Sequence, residues 1–314
     1  MEASSRVPES FAVVTPQGAA IASLFWVALA LSALVFALVV GVLVITLVRD
    51  RGRPGDPDPE QVHGNRTLEI TWTVLPALLL MVMFGLTVRT MQTVNAEPAA
   101  PLRVQVIGHQ WWWEYRYPDL GVTTASELVL PVGRPARLEL TAADVIHSFW
   151  VPQIGWKKDV IPGQANSMNV QVDEAGAYDG PCTEYCGTQH AWMRIRLVAQ
   201  SPDAFEAWTR AQQQPASPPS DPSVARGAQV FASSSCINCH AIAGTSAAAR
   251  VGPDLSHVGS RSIIGAGVLD NSPDSLGRWI RDPQAVKPGV LMPAYPNFSD
   301  ADLASLAAYL ASLK

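Results

Sequence analysis

Two long apolar runs near the start of the chain predict its first elements. No charged residue occurs over the 28 positions of 21–48 or over the 19 positions of 70–88. At about 1.5 Å per residue the first run makes a helix of about 42 Å, which exceeds a hydrocarbon core of about 30 Å. A cleaved signal peptide is the alternative, but the run is too long for one and a charged stop-transfer flank follows it. We predict a two-helix transmembrane hairpin over 21–95, with spans at about 21–48 and 70–90.

Arginines in the short loops predict the orientation of this hairpin. Residues 1–20 contain a single basic residue, Arg6. The loop 49–69 contains four arginines, which are Arg49, Arg51, Arg53 and Arg66. Basic loops remain on the cytoplasmic side of a membrane. We therefore expect residues 1–20 to form an outer segment and everything after about residue 95 to lie on the outer face.

Beyond the hairpin, apolar and polar residues alternate with a period of two, which indicates β-strands. The apolar positions in three such stretches are Leu102, Val104 and Val106; Leu138 and Leu140; and Met193, Ile195 and Leu197. Turn signals containing proline and glycine separate the stretches. The pattern predicts a small antiparallel sandwich or barrel, and a short helix at 203–211 ends a domain that spans 96–211.

The last part of the chain changes to a helical pattern. Residues 212–222 are polar, rich in proline and without periodicity, as is typical of a semi-rigid linker. We then predict a helix from Ser223 to Ala232, capped by Ser223, and another from Ser299 to Leu313, capped by Ser299. The second helix has four apolar residues on one face, Leu303, Leu306, Ala307 and Leu310. A separate helical domain is therefore expected over 223–314.

Composition narrows the function classes. The 314 residues are 48% hydrophobic and only 16% charged, which supports a membrane part attached to two further domains. A formal net charge of −5 argues against a nucleic-acid binder. The four cysteines form two closely spaced pairs, in which disulfides would close very small loops and stabilise little. Close cysteine spacing beside histidine favours metal or cofactor binding instead.

The first cluster of potential metal ligands is the string CTEYCGTQHAWM, from Cys182 to Met193. Its cysteines, His190 and Met193 offer thiolate, imidazole and thioether donors, which suit copper or zinc and not calcium or magnesium. The methionine and the strand-rich context favour copper, with a structural zinc site as the alternative. One more histidine is expected from elsewhere in the chain, and His147, in the strand-like run 144–152, is the candidate.

The second cluster is the C-x-x-C-H motif at 236–240. In such a motif two cysteine thioethers, here Cys236 and Cys239, attach a haem c, and the histidine, His240, is the proximal iron ligand. We expect Met292, the only methionine in the helical region, as the distal ligand. His257 is the competitor and is interpreted as a surface or propionate-side residue. His/Met ligation raises the haem potential and leaves no open position, so this haem would carry electrons and not bind oxygen.

Six short motifs give the chain a specific resemblance to a known family. They are Trp72-Thr-Val-Leu-Pro76, Gly108-His-Gln-Trp-Trp-Trp113, Asp144 to Pro152, Lys158-Asp159, Ile161-Pro-Gly163 and Cys182 to Met193. With the two apolar runs, the chain resembles subunit II of the haem–copper cytochrome c oxidases, in the variant with a fused cytochrome c. The resemblance implies a helical hairpin anchor, an all-β cupredoxin-like sandwich and an all-α cytochrome c domain. Trp112 stands where the family usually has tyrosine, which changes no ligand.

The resemblance also implies a binuclear copper centre, CuA. Its side-chain ligands would be His147, Cys182, Cys186, His190 and Met193. Glu184 matches the residue whose backbone carbonyl is a copper ligand and whose carboxylate reaches a magnesium ion at the boundary with subunit I. Two thiolates that bridge two coppers share an electron over both metals, which favours fast electron transfer because few atoms move.

Two further residues acquire a role only through the resemblance. Trp111 matches the tryptophan through which electrons reach CuA. From the residues alone, three consecutive tryptophans on a strand place at least one in an exposed position, where a partner or domain contact is the commoner role. Glu69 matches an acid at the cytoplasmic mouth of a proton-uptake path into subunit I, with simple solvation at the membrane edge as the alternative.

The sequence is thus interpreted as subunit II of an aerobic respiratory oxidase in a bacterial inner membrane. Electrons from an outside donor, such as a cytochrome c or a quinol–cytochrome complex, would pass through the haem and CuA. They would then reach the haem a and haem–copper sites of subunit I, coupled to oxygen reduction and proton pumping. Subunit III is a further expected partner, and no nucleic acid is expected.

Three other functions are weighed against this interpretation. A nitrous-oxide reductase shares the copper string but needs a large propeller domain, for which there is no room. A quinol oxidase subunit II lacks the copper ligands. A membrane-anchored CuA and haem c carrier that feeds another complex stays open, although Glu69, Glu184 and the motif at 72–76 favour an oxidase.

Overall fold

Both apolar runs form long helices. The computed structural model describes residues 12–58, 60–215 and 221–314, and in it α1 covers Pro16–Arg49 and α2 covers Arg66–Val94. Both are long and apolar enough to cross a membrane, and each extends past its predicted span at both ends. Asn65 caps α2 by accepting hydrogen bonds from two backbone amides of its first turn. Pro76 lies in the interior of α2, which a transmembrane helix tolerates.

The alternating region forms the predicted sandwich. Its ten strands are β1 Leu102–His109, β2 Trp112–Tyr117, β3 Val122–Ala125, β4 Glu127–Pro131, β5 Ala136–Ala142, β6 His147–Phe149, β7 Lys158–Val160, β8 Asn166–Val170, β9 Gly176–Pro181 and β10 Arg194–Gln200. One sheet has the order β3-β2-β1-β5-β8 and another the order β4-β10-β9, while β6 pairs with β7. The expectation of a purely antiparallel sandwich is wrong, because β1 runs parallel to β5 and β4 parallel to β10. A period of two is common to both pairing directions and cannot distinguish them.

Large aromatic residues fill the core between the sheets. Trp113, Tyr115, Tyr117 and Phe149 are completely buried. The hydroxyl of Tyr117 donates to the carbonyl of Val129 and accepts from its amide, each at 2.9 Å, so its polar end is satisfied inside the core. Burial of such side chains stabilises the fold by about 1.5–3 kcal/mol each.

The segment before α1 joins the sandwich through its backbone. The amide of Val14 donates to the carbonyl of Gln153, and the carbonyl of Val14 accepts from the amide of Asp173, both at 2.9 Å. Thr15 adds a side-chain hydrogen bond to the carbonyl of Ile154. A short stretch immediately preceding the first helix is therefore bound to the β-domain.

The remaining elements are helical. They are α3 Pro202–Gln212, α4 Pro222–Ser233, α5 Pro273–Arg281, α6 Pro283–Val286 and α7 Asp300–Ser312, with a small hairpin of β11 Ile263–Ile264 and β12 Leu269–Asp270. Helix α3 includes Gln212, the first residue of the predicted linker, and residues 216–220 of that linker lie outside the described residues. Ser299 caps α7 as predicted. Helix α4 is capped by Asp221 and not by Ser223, because the helix begins at Pro222 and the Asp221 carboxylate accepts from the Ser223 amide.

Helices α4 and α7 pack closely at a glycine. A Cβ atom on Gly227 would lie 2.0 Å from the carbonyl oxygen of Ser305, so only glycine permits this approach. The apolar face predicted for α7 is buried here, and its members are Leu303, Leu306, Ala307 and Leu310.

The sandwich and the helical region form one compact unit. The buried carboxylate of Glu127 in β4 accepts three hydrogen bonds from the β11 side, from the amide and hydroxyl of Ser262 at 2.7 and 2.5 Å and from the amide of Ile263 at 3.2 Å. The amide of Arg194 also donates to the carbonyl of Ala266. The helical region is therefore attached to the sandwich by specific polar contacts in addition to the chain connection.

Candidate metal and haem sites

The loop between β9 and β10 brings four of the predicted copper donors together. The Sγ atoms of Cys182 and Cys186 lie 3.9 Å apart, and the Cys186 sulfur lies 3.7 Å from Nδ1 of His190 and 3.9 Å from Sδ of Met193. The amide of Cys182 donates to the carbonyl of Met193, which closes the loop at the point where both strands begin to separate. Both cysteines and Met193 are buried.

His147 joins this loop from β6. One of its ring nitrogens lies within 4.8 Å of the two cysteine sulfurs, and the side chain is 0% exposed. Its Nε2 is 2.9 Å from the carboxylate of Asp144, while Nδ1 is buried without a hydrogen-bond partner. Asp144 thus orients the ring, and the unpartnered nitrogen is free to ligate a metal ion. A Cβ on Gly108 would lie 2.6 Å from this ring, so glycine makes room for it.

The whole donor set fits copper. The backbone carbonyl of Glu184 lies 3.4 Å from the Cys182 sulfur and adds a sixth donor beside the five side chains. The hydrogen bond between the two thiols lowers the pKa of Cys182 and raises that of Cys186, so the pair loses its first proton readily. Thiolate, imidazole and thioether donors in one buried cluster suit a soft metal.

Trp111 connects this cluster to the surrounding structure. Its indole N–H donates to the carbonyl oxygen of Cys186 at 2.9 Å, and the side-chain amide of Gln110 donates to the same oxygen at 2.8 Å. The expectation that one of the three tryptophans is exposed is wrong. Trp111 is 8% exposed, Trp113 is completely buried, and Trp112 is half-buried because it stacks on His109.

The C-x-x-C-H motif lies in a cleft of the helical region. Cys236, Cys239, His240 and Met292 all line this cleft, so the structure brings together the two thioether candidates and the two axial candidates. The Nδ1 atom of His240 is 2.7 Å from the carbonyl of Pro253, which fixes the ring and leaves Nε2 available as a ligand. Burial lowers the pKa of His240, which favours the neutral imidazole that binds iron.

Two further observations support a haem in this cleft. A Cβ on Gly252 would lie 2.7 Å from Cε1 of His240, so this glycine allows the chain to pass the ring closely. Arg261 also lines the cleft, its Nε is buried without a partner, and burial lowers its pKa to about 10. The unpartnered N–H of Arg261 could donate to a carboxylate of a large apolar group, such as a haem, bound in the cleft. Arg261 was not predicted as a site residue, because a lone arginine between two serines belongs to no ligand motif.

The structure places the remaining candidates elsewhere. His257 does not line the cleft, and its interpretation as a surface residue is wrong, since it is only 4% exposed. The alternative of a propionate-side position stays a prediction. Glu69 is exposed in the first turn of α2.

The cleft also has a wall from the sandwich. Gln110 and Trp111 of the loop between β1 and β2 line it together with Trp112 at the start of β2 and the motif residues. Trp111 therefore contacts both predicted sites, because it borders the haem cleft and hydrogen-bonds a cysteine of the copper cluster. This arrangement can hold two redox groups with one aromatic residue between them.

Comparison with known proteins agrees with this arrangement. Residues 12–87 match the transmembrane domain of cytochrome c oxidase subunit II, residues 121–200 match the periplasmic domain of the same subunit, and residues 224–314 match cytochrome c. The predicted order of helical hairpin, cupredoxin-like sandwich and cytochrome c region is confirmed.

Similar proteins cover most of the chain. Cytochrome c oxidase subunit 2 of Alkalihalophilus pseudofirmus is 42% identical over 289 residues, which cover 90% of this chain and 84% of the relative. The protein of the same name from Bacillus subtilis is 34% identical over 284 residues and covers 84% of this chain and 80% of the relative. The periplasmic domain of cytochrome oxidase subunit II from Bradyrhizobium japonicum is 33% identical, with a TM-score of 0.35, and covers 37% of this chain and 96% of that structure. The chain belongs to the cytochrome c oxidase subunit II family, in the form that has a C-terminal cytochrome c domain.

Proposed function

We propose that the chain is the electron-accepting subunit of its oxidase, with electrons coming in at the haem cleft and leaving through the CuA cluster toward subunit I. When bound, the haem iron and the copper pair would each supply a one-electron redox step. Oxygen reduction and its coupling to proton pumping would belong to subunit I. The observation that carries the proposal is the position of Trp111, which borders the cleft and donates to the carbonyl of Cys186.

The protein's own residues have distinct tasks in this proposal. Cys182, Cys186, His147, His190 and Met193 would hold the copper pair through their side chains, and Glu184 through its carbonyl. Burial of His147, Cys182, Cys186 and Met193 excludes water and limits movement between redox states. Asp144 orients His147 through the 2.9 Å hydrogen bond to its ring.

In the helical region, Cys236 and Cys239 would attach one haem c covalently. His240 and Met292 would be the axial ligands, with the Pro253 carbonyl orienting His240. Domain limits at 96–211 and 223–314 remain part of the proposal, with 212–222 as the connection.

Orientation and partners complete the proposal. Val14 pairs with the sandwich just before α1 begins, which supports an arrangement in which the N-terminal segment and the β-domain share the outer side. The arginines of the loop 49–69 support a cytoplasmic turn. Subunit I is then the acceptor, with subunit III and a cytochrome c or quinol–cytochrome donor as further partners.

Two acidic residues would serve the contact with subunit I. Glu184 would reach a magnesium ion at this boundary through its carboxylate. Glu69 would collect protons for subunit I at the cytoplasmic end of α2, where it is exposed.

Glu69→Gln should slow turnover while haem-to-copper transfer stays unchanged. Turnover equal to that of the wild type at every pH would assign Glu69 to solvation of the helix end.

The route is tested by replacing Trp111 with leucine in the intact oxidase. After rapid mixing with a reduced cytochrome c donor, the wild-type haem should be reduced before CuA. In Trp111→Leu the haem should be reduced at the normal rate and CuA more slowly. Reduction of CuA before the haem in the wild type, or an unchanged rate of CuA reduction in the variant, would contradict the route.

A further inference from the structure

A buried lysine of the cytochrome region contacts Trp111. Lys287 follows α6 and is 1% exposed. Its Nζ donates to the carbonyl oxygen of Trp111 in the sandwich at 2.9 Å and to the carbonyl oxygen of Gly265 in the helical region at 3.2 Å. Among the described residues, no carboxylate forms an ion pair with this amine.

Such a position is costly for a lysine. A buried ammonium without a counter-charge loses its hydration, and lysine is almost never completely buried unless it is paired. Burial accordingly lowers the pKa of Lys287 to about 7, although the negative charge of the nearby Cys186 thiolate acts in the opposite direction. A neutral amine has two N–H donors, which match the two carbonyl acceptors that the structure provides. An apolar side chain at this position would avoid the cost of burying an amine. The feature that only lysine supplies here is the pair of hydrogen bonds.

Trp111 is held at two points, one on its side chain and one on its backbone. The indole of Trp111 is bound to the Cys186 carbonyl, and its backbone carbonyl is bound to Lys287. Lys287 also begins the segment that leads to Met292, and Gly289 in this segment packs against Thr188 of the copper loop, since an added Cβ would lie 3.0 Å from the threonine methyl group. One short segment thus carries the proposed haem ligand and the contact to Trp111.

We infer that Lys287 is a positioning residue that fixes Trp111 between the haem cleft and Cys186, and so sets the rate of electron transfer between the two sites. This inference rests on the proposed function. In the step concerned, the reduced haem loses one electron and the oxidised copper pair gains it. No bond is formed or broken, and no proton is transferred.

The test compares two variants of the complete oxidase. Lys287→Met keeps the length of the side chain and removes its donors. Ser262→Ala is the matched control, because it removes a hydrogen bond between the same two regions, from the Ser262 hydroxyl to Glu127. Electrons are injected into the haem by a flash-excited ruthenium donor, and the rate of CuA reduction is recorded.

We expect Lys287→Met to slow this rate about tenfold, because small displacements of a positioned group have large kinetic effects, and Ser262→Ala to change it by less than about twofold. The haem potential and the near-infrared band of CuA should be unchanged in both variants. Hydrogen exchange should become faster in the segment 109–113 of Lys287→Met and stay at the wild-type rate there in Ser262→Ala. This readout does not depend on turnover.

A double-mutant cycle with Trp111→Leu identifies the pathway of the effect. If Lys287 acts through Trp111, adding Lys287→Met to Trp111→Leu should not slow transfer further. An equal slowing in both backgrounds, or a wild-type rate in Lys287→Met, would overturn the inference. A wild-type rate in Trp111→Leu alone would instead contradict the proposed function. A shifted haem potential in Lys287→Met would also overturn the inference about Lys287, because the lysine would then act on the haem and not on Trp111.

Discussion

The copper cluster and the haem cleft differ in how far the polypeptide alone completes them. In the sandwich, candidate donors of the loop between β9 and β10 approach one another to between 3.4 and 3.9 Å, and the cysteines belong to the continuous hydrophobic core. In the helical region, His240 and Met292 line a cleft whose walls also include apolar residues such as Leu255, Ile280 and Leu310. A metal ion needs only a few donor atoms at close range, whereas a large planar group needs a broad apolar surface. The fold of the helical region should therefore depend more on its cofactor than the fold of the sandwich does.

The most severe expected effect separates the two regions. Replacing both Cys236 and Cys239 by serine should abolish covalent haem attachment completely. The helical region should then lose most of its protection against hydrogen exchange, because the apolar cleft would be hydrated. The sandwich should keep its copper and its CuA absorption band. Full exchange protection of residues 223–314 in the double variant would show that the two regions do not differ in this way.

The reciprocal change is Cys182→Ser. A serine hydroxyl has a far higher pKa than a thiol and cannot supply a bridging thiolate, so the near-infrared band of CuA should disappear. The haem c spectrum should remain, and the melting temperature of the chain should fall only slightly. Retention of two coppers per chain, measured by metal analysis, would refute the ligand assignment.

A smaller effect tests how tightly the cleft is built. Gly252→Ala places a methyl group 2.7 Å from the His240 ring and should destabilise the helical region by about 1–3 kcal/mol. Gly277→Ala in α5 is the control, because its new methyl group would meet only Leu303 at 4.0 Å and should stabilise the helix by up to about 1 kcal/mol. Both are measured by denaturant unfolding followed at the haem absorbance. Equal stability of the two variants would mean that the His240 ring moves freely.

The smallest effect concerns Lys287, which lies between the two regions. Its folded-state pKa of about 7 is below the ordinary lysine value of 10.5, so the unfolded chain binds more protons between these pH values. Stability should therefore rise with pH across this window, by at most about 1.4 kcal/mol per pH unit. The variant Lys287→Met has no titratable amine at this position, so its stability should lack this dependence on pH. The melting temperature of the wild type minus that of Lys287→Met should therefore be larger at pH 8.5 than at pH 7.5. An equal difference at both pH values would mean that Lys287 does not titrate in this range.

Local patterns in the sequence predicted much of this molecule. The uncharged runs, the alternation in β1 and β5 and the apolar face of α7 follow from periodicity alone. The copper loop and the C-x-x-C-H motif are short enough for spacing to place their ligands together. His147 lies 35 residues before Cys182, and its selection needed a strand-like context and the family resemblance.

Features that depend on packing between the sandwich and the helical region could not be predicted. Glu127, Arg261 and Lys287 are buried, although charged residues of these types are mostly exposed in proteins. Their burial depends on contacts between residues far apart in the chain, as in the hydrogen bonds from Ser262 to Glu127, with a separation of 135 residues. The proline-rich segment indicated a semi-rigid linker and no specific contacts between the domains on either side of it. The parallel pairing of β1 with β5 was missed for the related reason that alternation does not encode strand direction.

The attachment of the segment before α1 has a consequence for the order of folding. Thr15 bonds to Ile154 across 139 residues, and both membrane helices lie between these two positions in the chain. Contacts of such long sequence separation form late, because the intervening chain must first be brought into place. During synthesis, the β-domain would therefore receive this last backbone partner only after the hairpin has inserted. Insertion of the helical hairpin and completion of the β-domain thus become parts of one assembly step.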